Sequence, residues 1–220
     1  YENGQKRFEK RYKGGKENGF HCEWYENGNK GSKVNWENGV VNGQITCWYE
    51  NGKDMVIGHF TKGHEDDWTS WNEKGEIDRE TRTKGKRTHT VQWYKNGRKE
   101  YEEHYKNQKY DGLFSRWYEN GELKSQTNWK DEEQHGIKTE WYENGQKECV
   151  IHFKNDVYNG LWTSWYENGN KRFERLFKDD GYLGGIKWYE NGNIEKEEHH
   201  KDGELDGLYT KTRWSLYLLV

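Results

Sequence analysis

Gly160-Leu161-Trp162-Thr163-Ser164-Trp165-Tyr166-Glu167-Asn168-Gly169-Asn170-Lys171-Arg172-Phe173-Glu174-Arg175-Leu176-Phe177 is the stretch on which the fold turns. Asn-Gly between two alternating, aromatic-rich segments is the strongest short-range hairpin signal, because both residues tolerate a positive φ. The unit then returns along the whole sequence. Turn glycines stand at Gly4, Gly28, Gly52, Gly75, Gly97, Gly121, Gly145, Gly169 and Gly192, at steps of 22 to 24 residues, each but Gly75 preceded by Asn. Trp stands four residues before each of the last eight. Eight residues past the turn comes another aromatic in seven of nine repeats, from Tyr12 and Trp36 to Phe153 and Phe177. A fixed period with anchored aromatics marks a stacked architecture, in which each unit buries its surface only against its neighbours.

Each repeat reads as strand, Asn-Gly turn, strand, and then a looser turn containing Gly or Asp. Glycines such as Gly19, Gly43, Gly112, Gly136 and Gly160 supply that second turn. Short connections leave only an antiparallel order. The fold class is all-β, an elongated antiparallel meander in a single-sheet array of about nine hairpin units over residues 1–209. Residues 210–220 form a divergent apolar C-terminal segment. Trp and Tyr are adjacent in the chain, so they lie on opposite faces of the sheet. Which of them shares a face with the mid-repeat aromatic depends on the turn. A two-residue turn places Tyr there, whereas a three-residue loop with a Gly bulge places Trp there. The bulged turn is preferred, because it gathers Trp with Phe173, Ile151 and Phe153 and leaves Glu, Lys and His outward.

Leu, Ile, Val and Phe make up 32 of 220 residues, but Trp, Tyr and Phe total 36, so aromatics supply the burial that aliphatics normally would. Neither Pro nor Ala occurs, which suits a hydrogen-bonded ladder and disfavours long helices. The 36 basic and 39 acidic residues are interleaved, with a net charge of -3. That pattern gives no footprint for nucleic acid. No apolar run approaches the roughly 18 residues of a membrane span. Cys22, Cys47 and Cys149 are too sparse for a disulfide framework or a cysteine zinc site. The chain begins at Tyr1 inside a repeat and reads as a piece of a longer protein, which leaves its compartment unassigned. Its uncharged tail, Ser215-Leu216-Tyr217-Leu218-Leu219-Val220, placed on an open strand edge, implies self-association edge to edge.

No phosphate loop, zinc-protease helix or nucleophile elbow is present, and no residue is assigned to catalysis, cofactor or metal. His59, His104, His152 and His199 lie seven residues past their turn glycines, in every second repeat. Such positions are roughly 20 Å apart in a meander and cannot converge on one ion.

The run Trp-Tyr-Glu-Asn-Gly, intact at Trp24, Trp48, Trp117, Trp141, Trp165 and Trp188, resembles the variant MORN repeats of bacterial proteins, some of them antitoxin-like. The resemblance implies a glycine-punctuated antiparallel array without catalytic residues. Aromatics that project from such a sheet suit protein interfaces. The expected function is therefore a non-catalytic scaffold for a protein partner, antitoxin-like in its narrower form. Tyr25, Tyr49, Tyr94, Tyr118, Tyr142, Tyr166 and Tyr189 are the expected contact residues. The alternative is a cell-wall glycan-binding module that uses ring stacking.

Overall fold

The computed structural model of the chain describes residues 1–207 and 209–211. No helix occurs among them, and every strand pairing is antiparallel. The chain divides into two compact units, Tyr1–Gln108 and Lys109–Val220. In the first, Gly19–Trp24, Lys30–Glu37, Val40–Trp48, Asp54–Thr61, His64–Trp71, Ile77–Lys84, Arg87–Trp93 and Lys99–Lys106 follow one another as an up-and-down meander. In the second, the long strands run in the same manner from Gly112–Trp117 to Ile194–Lys201.

Each Asn-Gly turn closes in the same way. Gly169 N–H donates to the Tyr166 carbonyl at 2.9 Å, and Tyr166 N–H donates to the Asn170 carbonyl at 2.8 Å. Glu167, Asn168 and Gly169 therefore form a three-residue loop, with Gly169 left-handed at φ 85, where a Cβ would be strained. Asn168 Oδ1 accepts from Asn170 N–H at 2.9 Å. This is the expected bulged turn.

The expected faces are not found. A second irregularity follows at once: Ser164 pairs with Phe173 but Trp165 with Lys171, so Arg172 has no opposite number. The same shift recurs between Cys47 and Trp48, between Arg116 and Trp117, and between Glu140 and Trp141. Two one-residue insertions cancel, and the side-chain parity returns to that of a simple hairpin. Tyr, not Trp, thus shares the face of the mid-repeat aromatic. A Cβ on Gly31, the extra residue of its hairpin, would stand 3.3 Å from the Tyr25 ring. The two sides of the sheet are called below the tyrosine face and the tryptophan face.

The second connection also differs from expectation. It is a tight two-residue loop with both residues at left-handed φ, at 53 and 86 for Asn38-Gly39 and 50 and 82 for Lys62-Gly63, but with Asn and Asp at 54 and 63 for Asn155-Asp156 and Asp at 47 and 63 for Asp179-Asp180. Short polar side chains tolerate that region. Here they also bond across to the neighbouring turn, Asp156 Oδ1 accepting from Gln134 N–H at 2.7 Å and Asp180 Oδ1 from Tyr158 N–H at 2.8 Å. The second glycines sit inside strands instead, opposite the mid-repeat aromatic: Gly160 faces Phe177 and Gly136 faces Phe153.

A single layer of sheet gives a thin core on each side. Ile45, Val56, Cys149 and Ile151 are buried on the tyrosine face, and Thr69, Val91, Ser115 and Thr163 on the other. In the second unit the tyrosine face carries a run of touching rings. Tyr158 stacks on Trp162 with centroids 5.4 Å apart, and Phe177 lies 5.3 Å from Tyr158 and 5.5 Å from Tyr182. The apolar segment at residues 210–220, with the association expected of it, lies outside the described residues except for Thr210–Lys211, a short strand on Ile194–Lys201.

Candidate interaction surface

The tyrosines expected to meet a partner do not project outward. Tyr25, Tyr49, Tyr94, Tyr118, Tyr142, Tyr166 and Tyr189 are all half-buried. Five of these hydroxyls donate to the carbonyl of the Trp one repeat on. Tyr25 reaches Trp48, Tyr118 reaches Trp141 and Tyr142 reaches Trp165, each at 2.8 Å; Tyr49 reaches Trp71 at 2.7 Å and Tyr166 reaches Trp188 at 3.0 Å. Burial pushes the phenol pKa upward at Tyr49, Tyr118 and Tyr142, with nearby carboxylates adding to it. The turn Asn makes a second clasp: Asn120 Nδ2 donates to the Glu143 carbonyl at 2.9 Å and Asn144 Nδ2 to the Glu167 carbonyl at 3.2 Å. Trp-Tyr-Glu-Asn-Gly is therefore a stacking device. Its Tyr and Asn grip the next turn, and its Gly permits the loop.

On the tryptophan face the indoles are half-buried, and a lysine lies over the ring at Trp24 and at Trp188, with Lys6 Nζ 5.3 Å and Lys171 Nζ 5.6 Å from the ring centroids. Beside them in the second unit runs an apolar band. Leu113 faces Asn128, Ile137 faces His152, and Leu161 faces Leu176. Bonds from Asn128 Nδ2 to the Ile137 carbonyl at 3.0 Å, and between His152 Nδ1 and the Leu161 carbonyl at 2.7 Å, join these pairs into one line. Six side chains on adjacent strands span roughly 24 Å. The four aliphatic ones are between 38 and 46% exposed. The contact reading from sequence passed over them, although Leu113, Ile137 and Leu161 recur at a step of 24 residues.

The strongest pKa shifts lie on the opposite, tyrosine face. Burial, then a hydrogen bond to Glu140, pushes the Cys149 thiol up to about 12. Burial and Glu198 do the same to Tyr182, also to about 12. Both groups are thus held neutral and belong to the packing of the sheet.

Cys22, Cys47 and Cys149 are all free thiols. No helix among the described residues is long and apolar enough to cross a membrane.

The MORN repeat variant family matches residues 110–131, 134–155, 158–179 and 185–202. All four segments fall in the second unit, and each of the first three ends within one of its tight two-residue turns. No curated protein matches the chain. Over these four segments, which include the apolar band, the chain is similar to a repeat class that generally serves as an interaction module for proteins or membranes.

Proposed function

We propose that the chain is a non-catalytic repeat scaffold whose second unit binds a protein partner across its tryptophan face. The apolar band from Leu113 to Leu176 carries this reading. A line of six side chains in which four exposed aliphatic ones are interspersed with Asn128 and His152 has the mixed composition of a contact surface. The tyrosines serve stacking between repeats, which moves the contact to the other side of the sheet. Protein is favoured over cell-wall glycan because a sugar needs an open ring face. In the second unit rings of the tyrosine face pack on one another, and Lys171 lies over the Trp188 ring. An antitoxin-like role is the narrower form of the proposal and rests on the repeat resemblance alone.

The test compares the 220-residue chain with the double variant Ile137→Glu/Leu161→Glu. Both substitutions fall on exposed side chains and should leave the circular dichroism unchanged. Affinity capture from the source cells should yield a protein bound by the wild type and lost by the variant. Retention of both forms on cell-wall polysaccharide, with no protein distinguishing them, would establish the glycan reading instead.

A further inference from the structure

The tryptophan face of the first unit holds a cluster that the repeat pattern does not explain. In each regular hairpin the residue eight before the turn glycine stands directly opposite the residue seven after it. That pair is Gln44 and His59 in one hairpin, Ile137 and His152 in another, and Leu161 and Leu176 in a third. In the hairpin of Arg87–Trp93 and Lys99–Lys106 both positions are histidine, His89 opposite His104. Their rings lie face to face, with centroids 4.6 Å apart and planes 23° from parallel. Glu102 stands on the same face, two residues before His104 and opposite Val91. Its Oε1 lies 2.8 Å from His89 Nε2, while Lys99 Nζ holds its Oε2 at 2.8 Å.

We propose that His89, Glu102 and His104 bind one divalent transition-metal ion of the zinc class, which clips this hairpin across its two strands. One ligand atom from each of the three residues already lies within 4.8 Å of the other two. Ligands about 2 Å from a tetrahedral ion stand roughly 3.3 Å apart, so closure needs side-chain movement of about 1.5 Å. His89 is 40% exposed and can make it. The adjacent cation from the preceding strand, Arg82, is drawn away by Glu80, Thr69 and the Trp68 and Thr81 carbonyls. Lys99 orients the carboxylate by its far oxygen, the part that an outer partner plays at protein metal sites. Two imidazoles and one carboxylate select Zn²⁺, Co²⁺, Ni²⁺ or Cu²⁺ over Mg²⁺ and Ca²⁺, which prefer oxygen ligands throughout. Water would complete the coordination from the exposed side. The pairing escapes a reading of His59, His104, His152 and His199 as one row, because His89 lies on the other strand.

The probe is ZnCl₂ titrated calorimetrically into the full chain, with CuCl₂ added separately for electron paramagnetic resonance. One tight zinc site per chain is expected. His89→Gln, His104→Gln and Glu102→Gln should each weaken it by about 10–100-fold or more, the range seen for loss of even an outer partner. His59→Gln, the control on the same face, should leave it unchanged. The copper spectrum should show coupling to two ring nitrogens in the wild type and to one in either histidine variant. Undiminished tight binding in the double variant His89→Gln/His104→Gln would overturn the assignment. So would a wild-type copper spectrum without two equivalent imidazole nitrogens, a readout that does not depend on any variant folding.

Discussion

At the scale of single residues, the repeated tyrosine illustrates how a side chain can be read correctly as lying opposite Trp while the side of the sheet it occupies and the bonds it makes stay hidden. Its recurrence is visible in the sequence, as is its place opposite Trp on the sheet. Its bond to a carbonyl 22 or 23 residues away is not, because that bond depends on how neighbouring turns stack. Tyr142 is a clean place to measure the clasp, since Phe keeps the ring and removes only the hydroxyl that donates to Trp165 at 2.8 Å. A hydrogen bond of this kind contributes about 0.5–1.5 kcal/mol net. Tyr142→Phe should therefore lower stability by about 1 kcal/mol in urea titration of the full chain. A midpoint that does not move would mean that water replaces the hydroxyl at no cost, leaving the tyrosines with packing alone.

At the scale of elements, the hairpins, their order and the Asn-Gly turn were all legible, because turn chemistry and alternation are local properties. The second bulge was not. Its extra residue is Gly31, Met55, Lys124 or Arg172 in different repeats, four side chains without a shared chemistry, so nothing in the sequence marks the slip that exchanges the faces. The tight second turns were obscured for a related reason. Asn155-Asp156 and Asp179-Asp180 adopt a conformation more often signalled by Gly, while the nearby glycines serve strand pairing. Two glycines separate these uses of the residue. Gly192 is left-handed at φ +89 with nothing within 4 Å of a Cβ, so Gly192→Ala should cost only backbone strain of about 1–2 kcal/mol. At Gly185 a Cβ would stand 2.2 Å from the Glu174 carbonyl oxygen and 3.0 Å from Arg175 Cα. Neither backbone atom can yield without parting the strands Lys171–Lys178 and Gly181–Trp188. Gly185→Ala should thus cost about 3 kcal/mol or more, at or above the usual range for overpacking. Equal losses in the two variants would show that those strands are not packed as tightly as described.

At the scale of the whole molecule, a repeat array is as stable as its units and the links between neighbours allow, and the first unit contains one altered link. Tyr49 reaches forward to the Trp71 carbonyl at 2.7 Å, but the next turn has Asn72 in the tyrosine position. The side-chain bonds of Asn72 stay within its own turn, to Glu76 Oε2 at 2.9 Å and from the N–H groups of Lys74 and Glu76 at 3.0 and 3.1 Å. It substitutes for the missing turn asparagine at Lys74, and the phenol clasp toward Trp93 is given up. The period made this irregularity visible in the sequence as Lys74-Gly75, yet only the hydrogen-bond pattern shows that it loosens a link while preserving a turn. Amide exchange around Ile77–Lys84 should therefore be faster than around Asp54–Thr61. Asn72→Tyr should slow it and raise the thermal midpoint by about 2–4 °C, the shift that about 1 kcal/mol produces in a chain of this length. The step from Gly75 to Gly97 is 22 residues, shorter than its neighbours, so the gain requires that a phenol at position 72 still reaches the Trp93 carbonyl. A lowered midpoint with exchange at Ile77–Lys84 unchanged would show that the shortened step has moved the two turns out of register, and that Asn72 is the residue this spacing requires.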